Sequence, residues 1–470
     1  IDCDANSVNE YVLKSIEDEA GYIQNEISGN CIDANTFHVS VDDGDDNNEG
    51  TESDPLKTIG HALTLVRDNE TVTTIYVGEG VISPSTNGEQ FPIVLPDNVH
   101  LIGLDIENSV LDAEADANKE AAVLIIPECV NVKVANLTIT GGYSEGHGCT
   151  GGGGILVTAN DMFNLDGSAV VTTPVLEDLI IEGNHSHNGG GVSFFRVSGP
   201  TMTNVTLDNN QATFFGGGIF SYVSNTTMTD IDVTNNMTLG YWGYNGIGNG
   251  GGIMMAASGG TFTDFTMTNN YAPTHGGGVW TNGSGSVWTM INSTISGNSA
   301  PWNGGAIALW DGAQPTLTNV TMSGNEAGGF GGAVWAANSS PTLIDCAITE
   351  NSAGDGGGGL NAWGTGWPVL TNCVISENTA ASDWGEGGGI YLSYTDGATL
   401  TNVAIVDNYS SAWTAGISVE GTSATLTNCT ISGNTAYEDG GIAIWNGGNG
   451  AITNSILWDN SPASINVYAG

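Results

Sequence analysis

The chain has 470 residues, of which 70 are glycine, 40% are apolar and only 12% are charged, so it can bury a long core yet lacks the make-up of an ordinary α/β enzyme. Six basic residues stand against 51 acidic ones, a formal charge of -45, and no lysine or arginine follows Arg196. Nucleic acid phosphates and anionic lipid surfaces would be repelled, and no run of about 18 apolar residues could form a spanning helix, so neither nucleic acid nor direct membrane insertion is expected.

Residues 1–36 stand apart as a capping segment. SVNEYVLKSIEDEAGYIQNEI reads as an amphipathic helix with Val8, Val12, Ile16, Tyr22 and Ile23 as its apolar stripe, placed to cover the open edge of a first coil. The chain begins at Ile1 with neither a basic nor an apolar leader, which reads as a mature exported form, so a secreted, extracellular or cell-surface location is expected. Cys3 and Cys31 flank this segment, and Cys129 and Cys149 flank the first repeat; each pair is a candidate disulfide in an oxidising compartment.

Residues 37–119 form an opening domain with an acidic loop. VDDGDDNNEGTESD sets Asp43, Asp45, Asn47 and Glu49 at alternating positions, and crowded hard oxygen ligands suit Ca²⁺, the one cofactor expected. The spacing is not that of an EF-hand, and a solvated acidic linker is an equal reading.

From residue 120 to 470 a repeat takes over. Segments such as LTNVTMSGN end in asparagines at 184, 210, 236, 270, 298, 325, 351, 378, 408, 434 and 460, mostly 26 or 27 residues apart. In chain order these are Asn184, Asn210, Asn236, Asn270, Asn298, Asn325, Asn351, Asn378, Asn408, Asn434 and Asn460, and VANLTITGG is an earlier copy with Gly142 in the asparagine place. Apolar residues alternate within each unit, as Leu317, Val320 and Met322 do against Thr318, Asn319 and Thr321, with one break where the chain bends. A second short run follows, as in GGAVW and GGGIY. Two or three short strands per unit match one coil of a parallel β-helix, whose coils pair at roughly 4.8 Å, and no 3.6-period segment offers a helical solenoid instead. The fold expected is all-β: a right-handed parallel β-helix of about 12 or more coils. Its terminal asparagines should stack into an internal amide ladder, and Cys346, Cys373 and Cys429, which share a position with Val205, Val320 and Val403, should pack as small core hydrophobes.

The GG[AI][IV] and xxN patterns over roughly 120–465 resemble the repeats of chlamydial polymorphic outer membrane proteins and related bacterial proteins of the pectin-lyase-like β-helix fold. GTESDPLKTIGHALTLV, TIYVGEGVI and FPIVLPDNVHLIGLD resemble an uncharacterised domain that opens secreted bacterial β-helices, and ITNSILWDN resembles the last coil before surface-anchoring segments. The resemblance implies export and surface display, with adhesive or structural roles.

Enzymes also use this fold. Lyase chemistry would need a basic proton acceptor, for which the repeat offers only Lys133 and Arg196; Gly146-His147-Gly148 lacks the basic substrate clamp of a polygalacturonase-like site. Two carboxylates alone suffice for acid–base glycoside hydrolysis, and Asp355, Asp383, Glu386, Glu438 and Asp439 follow the asparagine ladder on stacked coils. His185, His187 and His275 lie in comparable loops but show no third metal ligand at fixed spacing. If Val279, Ile307, Val334, Leu360 and Ile442 point inward, strand alternation turns Trp280, Trp310, Trp335, Trp363 and Trp445 outward, with Tyr394 at a matching place, as an aromatic band for sugar faces or a neighbouring copy. The leading expectation is a non-catalytic surface β-helix, structural or adhesin-like, whose partner is another copy of itself in an oligomer or filament. The alternative is a polysaccharide-active enzyme or carbohydrate-binding β-helix, with surface polysaccharide as partner. A bounded groove with convergent carboxylates and at least one cation or metal would mark the second, whereas a structural rod would repeat its surface along the whole axis.

Overall fold

The computed structural model describes residues 35–66, 71–145, 151–159, 170–240 and 248–468. The expected N-terminal helix with Cys3 and Cys31, the Gly146-His147-Gly148 tripeptide and Cys149 lie outside them.

One coil shows why the sequence winds. Thr316–Thr318 and Thr321–Ser323 are short strands; Leu317 and Met322 on them and Val320 in the bend that joins them are at most 1% exposed. Between them Asn319 holds φ at 55°, a left-handed conformation that asparagine and aspartate tolerate better than other side chains, and this bend lets residues on both sides of it face the core. The same place is held by Asp178, Asn204, Asp230, Asp264, Asn292, Asp345, Asn372, Asn402, Asn428 and Asn454, all at φ between 51° and 58°. Asn325 then turns inward, Glu326–Ala327 forms a third-face strand, and Val334–Ala337 forms the second-face strand with Val334 and Ala336 in the core. Gly331, at φ 70°, makes the turn before that strand: a Cβ there would stand 2.4 Å from the Val334 carbonyl oxygen, and one on Gly332 would stand 2.3 Å from that of Gly358 in the next coil. Only glycine lets successive turns approach so closely.

Successive coils pair in parallel and in register, as Met322 does with Ile348 and Ile348 with Ile375. They build a 25-stranded first sheet, a 14-stranded second sheet, and a third face made of a 4-stranded and a 5-stranded sheet. The second sheet takes one strand per coil, so the solenoid has about 14 turns. Its inner columns merge into one core running from Phe37 to Ile444. Among the described residues helix is confined to Ile59–Thr64, where the Thr58 hydroxyl accepts the His61 amide as N-cap.

The asparagines at the repeat ends form a chain of amides inside this core. Each Nδ2 donates to Oδ1 of its successor, from Asn184 to Asn210 at 3.1 Å through to Asn434 and Asn460 at 2.9 Å. The same Oδ1 also accepts the preceding asparagine's backbone N–H, as Asn351 does for Asn325 at 3.0 Å, and the amide reaches back to a strand carbonyl, Ile295 in that case, at 2.9 Å. Gly142, in the first copy, donates its N–H to Asn184 Oδ1. Cys346, Cys373 and Cys429 are free and no more than 2% exposed in the column they share with Val205, Val320 and Val403. Cys129, whose expected partner Cys149 lies outside the described residues, is a buried thiol that donates to Leu95 and Pro127 carbonyls, and burial pushes its pKa up to about 12.

Asn325→Leu removes amide bonds to the coils on both sides and leaves backbone groups unpaired in a dry core. Chemical denaturation should show a loss of about 1–3 kcal/mol, whereas an exposed asparagine would give almost none.

Candidate functional site

Period-two alternation on the second sheet projects two columns of side chains outward. One runs Phe220, Met254, Trp280, Ala308, Trp335, Asn361, Tyr391, Ser418; the other runs Asn282, Trp310, Ala337, Trp363, Ser393, Glu420, Trp445. Val279, Ile307, Val334, Leu360 and Ile442 face the core. The expected continuous aromatic band is not what forms. Trp310 and Trp363 are 38% and 48% exposed and Tyr394 is open to solvent, but Trp280 and Trp335 are 8% and 5% exposed. The chain between the asparagine turn and the second sheet folds over their column: Phe215 stacks on Trp280 at 5.7 Å, His275 on Trp335 at 5.1 Å, and with Phe220, Met254, Ala308 and Ala337 they make a satellite core outside the sheet. Burial there lowers the His275 pKa to about 4, so its ring is neutral. Trp445 is half covered, stacked at 3.6 Å on Tyr468 and edge-on to Trp413.

Beyond the satellite core the covering chain draws back and a cleft of about 310 Å³ opens, lined by Asn303, Phe330, Trp335, Asn361, Trp363, Tyr391 and Ser393. Carboxylates stand at its far end. Glu420 closes the strand Ile417–Glu420 in the column of Trp363, and accepts hydrogen bonds from Tyr391 Oη (2.6 Å), Asn446 Nδ2 (2.7 Å), Ser393 Oγ (3.1 Å) and Tyr394 Oη (3.3 Å). Glu386, on the covering chain, accepts Ser418 Oγ at 2.6 Å. Ser418 and Glu420 are alternate residues of one strand, so both carboxylates share a face, with roughly 7 Å of strand between the positions that anchor them. Asp439 lies beyond, buried, accepting from Asn466 Nδ2 and Tyr468 Oη.

The two glutamates sit in opposed environments. Burial pushes Glu386 up to about 7; the Ser418 hydroxyl offsets part of this, while the charges of Glu420 and Asp439 add to it. Burial acts on Glu420 too, but the four donors around it outweigh that and hold its carboxyl below the usual range. Tyr391, raised by burial and by its bond to Glu420, stays a protonated donor.

Of the acidic residues expected to cluster, Glu386 and Asp439 come together here. Asp355 is half-buried one coil before Glu386, bonded weakly to Ser382 Oγ at 3.4 Å, while Asp383 and Glu438 point to solvent. Sequence reasoning missed Glu420 and Tyr391. The usable signal was positional: Glu420 occupies the place that Trp310, Trp363 and Trp445 hold in other coils.

The other candidate residues lie on other coils. Asp43, Asp45, Asn47 and Glu49 are all exposed, and Asp45 Oδ1 is taken by the backbone and side-chain N–H groups of Asn47. The inward Asp46 instead binds Lys57 and Thr58 at the helix start. Among the described residues no group of three His, Cys, Asp or Glu side chains is placed to hold a metal ion. His185 Nε2 bonds Glu145 at 2.7 Å, with His187 Nδ1 3.5 Å from the same carboxyl. Lys133 pairs with Glu177, and Arg196 sits at φ 58° after its strand.

A family model described as "Right handed beta helix region" matches residues 221–378 and 358–470, and one described as "Protein of unknown function (DUF1565)" matches residues 42–210. No curated protein matches the chain. Among solved structures, the A-module of Azotobacter vinelandii mannuronan C-5 epimerase AlgE4 is 13% identical with a TM-score of 0.37, over 92% of this chain and 100% of that one. The AlgE6 A-module from the same organism is 12% identical (TM-score 0.34; 85% and 91% covered), and the pectate lyase Pel9A is 11% identical (TM-score 0.28; 91% and 80% covered).

A carboxyl raised from 4.5 to about 7 makes the folded chain bind a proton that the unfolded chain releases between those values. Stability from this group is therefore present at low pH and lost as pH rises through that window. Glu386→Gln cannot lose it, so melting temperatures should favour the variant over the native chain more at pH 8 than at pH 4.5. An equal difference at both values would show that Glu386 titrates normally.

Proposed function

We propose that this chain, which belongs to the right-handed β-helix family, acts outside the cell on an uncharged polysaccharide, with Glu386 as general acid and Glu420 as the second carboxylate of glycosidic-bond hydrolysis. The observation that carries this reading is one surface holding two carboxyl groups in opposed environments, beside an exposed tryptophan. Paired carboxyls whose surroundings push their proton affinities apart are the arrangement that lets one stay protonated while the other stays ionised at the same pH. Near neutrality Glu386 can give its proton to the leaving oxygen. Glu420, fixed by Tyr391, Asn446, Ser393 and Tyr394, then meets the electron-deficient anomeric carbon directly or through a water that it deprotonates. The lack of any lysine or arginine after Arg196 disfavours uronic or sulfated chains.

A second reading, a non-catalytic surface rod of structural or adhesin-like kind, draws on the regularity of the first sheet. Its outer bend carries an exposed ladder in which Asn319 donates to Asn292, Asn372 to Asp345 and Asn402 to Asn372 at 2.9–3.0 Å. Exposed Ile456, Trp458 and Val467 are what a contact between copies would cover.

Reducing-end release from soluble neutral polysaccharides separates the two. The native chain should cleave, with a rate that falls above about pH 7 as Glu386 loses its proton. Glu386→Gln and Glu420→Gln should each lower kcat by about 100-fold or more, with cooperative melting curves showing that both variants still fold. Binding without turnover on any neutral glycan would favour the rod.

A further inference from the structure

The second outward column repeats at a two-coil period. Trp310 pairs with Ala337 and Ala337 with Trp363; Trp363 pairs with Ser393 and Ser393 with Glu420. Two exposed indoles and the carboxylate thus stand two coils apart each, about 10 Å, in a line parallel to the solenoid axis. The residues between are small: Ala337 is fully covered and Ser393 is 5% exposed, so nothing on this column rises between the rings. Asn361, 2% exposed, lines the same cleft, and its amide reaches the Tyr391 carbonyl only at 3.5 Å, which leaves donor and acceptor capacity for a hydroxyl.

We infer that the polysaccharide lies along the solenoid axis, stacked on Trp310 and Trp363, and that it is an uncharged, extended glycan of the two-fold ribbon type. In an equatorially linked ribbon each sugar is turned half a revolution from the last, so the same apolar face recurs at every second residue. Two-coil spacing meets that recurrence, where an α-linked coiling glycan would present its faces in rotating directions. Indole rings offer flat apolar platforms for such faces. The formal charge of -45 gives an anionic chain no counter-charge here. The inference rests on the saccharide reading of the cleft, but not on the acid–base roles of Glu386 and Glu420.

The test is calorimetric titration of the full chain carrying Glu386→Gln, which leaves the sugars intact. The probes are β-1,4-linked gluco-, manno- and N-acetylchito-oligosaccharides, with malto-oligosaccharides and oligogalacturonates of equal length. At least one ribbon series should gain affinity from disaccharide to hexasaccharide. Trp310→Ala and Trp363→Ala should each weaken hexasaccharide binding about tenfold and erase the length gain, while Trp363→Phe, which keeps a ring, recovers most of it. Melting curves establish that the variants fold. Equal or better binding of the malto or uronate series, a length gain untouched by either alanine, or no binding by any series overturns the inference. Ribbon binding of the expected kind without cleavage by the native chain leaves it standing and removes the hydrolytic roles instead.

Discussion

The structure depends on in-register stacking, and the buried asparagine amides are the interaction that enforces it. A parallel sheet of short strands could slip by a residue and turn its core residues outward. A side chain that must bond the amide above, the amide below and a strand carbonyl cannot slip without leaving several polar groups unpaired in a dry interior. Each rung is worth little by itself, but a slip in any coil breaks the rungs on both sides of it. The exposed Asn and Asp bends add a second line of fixed points, because every one of them needs a left-handed φ at the same place in its coil.

Fixed register gives the exterior its meaning. Residues far apart in sequence become neighbours in straight columns, so one substitution per coil sets the chemistry at one point along the axis. The column of Trp310, Trp363 and Trp445 changes from aromatic to acidic at Glu420, and the covering chain changes from Phe330 to Glu386 within two coils. The two carboxyls differ because one is carried by the covering chain and packed against Ser418, while the other ends a strand amid four donors.

The fold was legible because period-two alternation, the recurring glycines and the terminal asparagines all repeat, and each maps to a single physical demand: core burial, close turn approach and the amide ladder. The site was half legible. Glu386 and Asp439 stood out as acidic residues after the ladder. Glu420 and Tyr391 did not, because strand position alone fails to say whether an outward residue meets solvent or a folded-over segment. The same gap explains Trp280 and Trp335, which alternation places outside the sheet and the covering chain then buries. The opposed tuning of two like carboxyls was invisible in sequence, since it follows from desolvation and hydrogen-bond geometry, neither of which has a residue pattern.

The site also falls where the repeat loosens. Asn378 and Asn408 are 30 residues apart, against 26 or 27 across the flanking steps, and the additional chain carries Trp384, Glu386 and the turn that lays Glu386 against Ser418. A surface insertion of this size adds little loop-closure entropy, well under about 1 kcal/mol, so a solenoid can accept it while the ladder beneath stays unbroken. The ladder does stay unbroken there, with Asn378 bonded to Asn408 at 3.0 Å. Scaffold and surface are therefore separable in this chain: the buried rungs keep the same pattern from Asn184 to Asn460, and the covering segments above them can lengthen, gain a carboxyl and enclose it. That division is why a regular solenoid can hold an irregular cleft, and why departures from the repeat, more than the repeat itself, set one stretch of its surface apart.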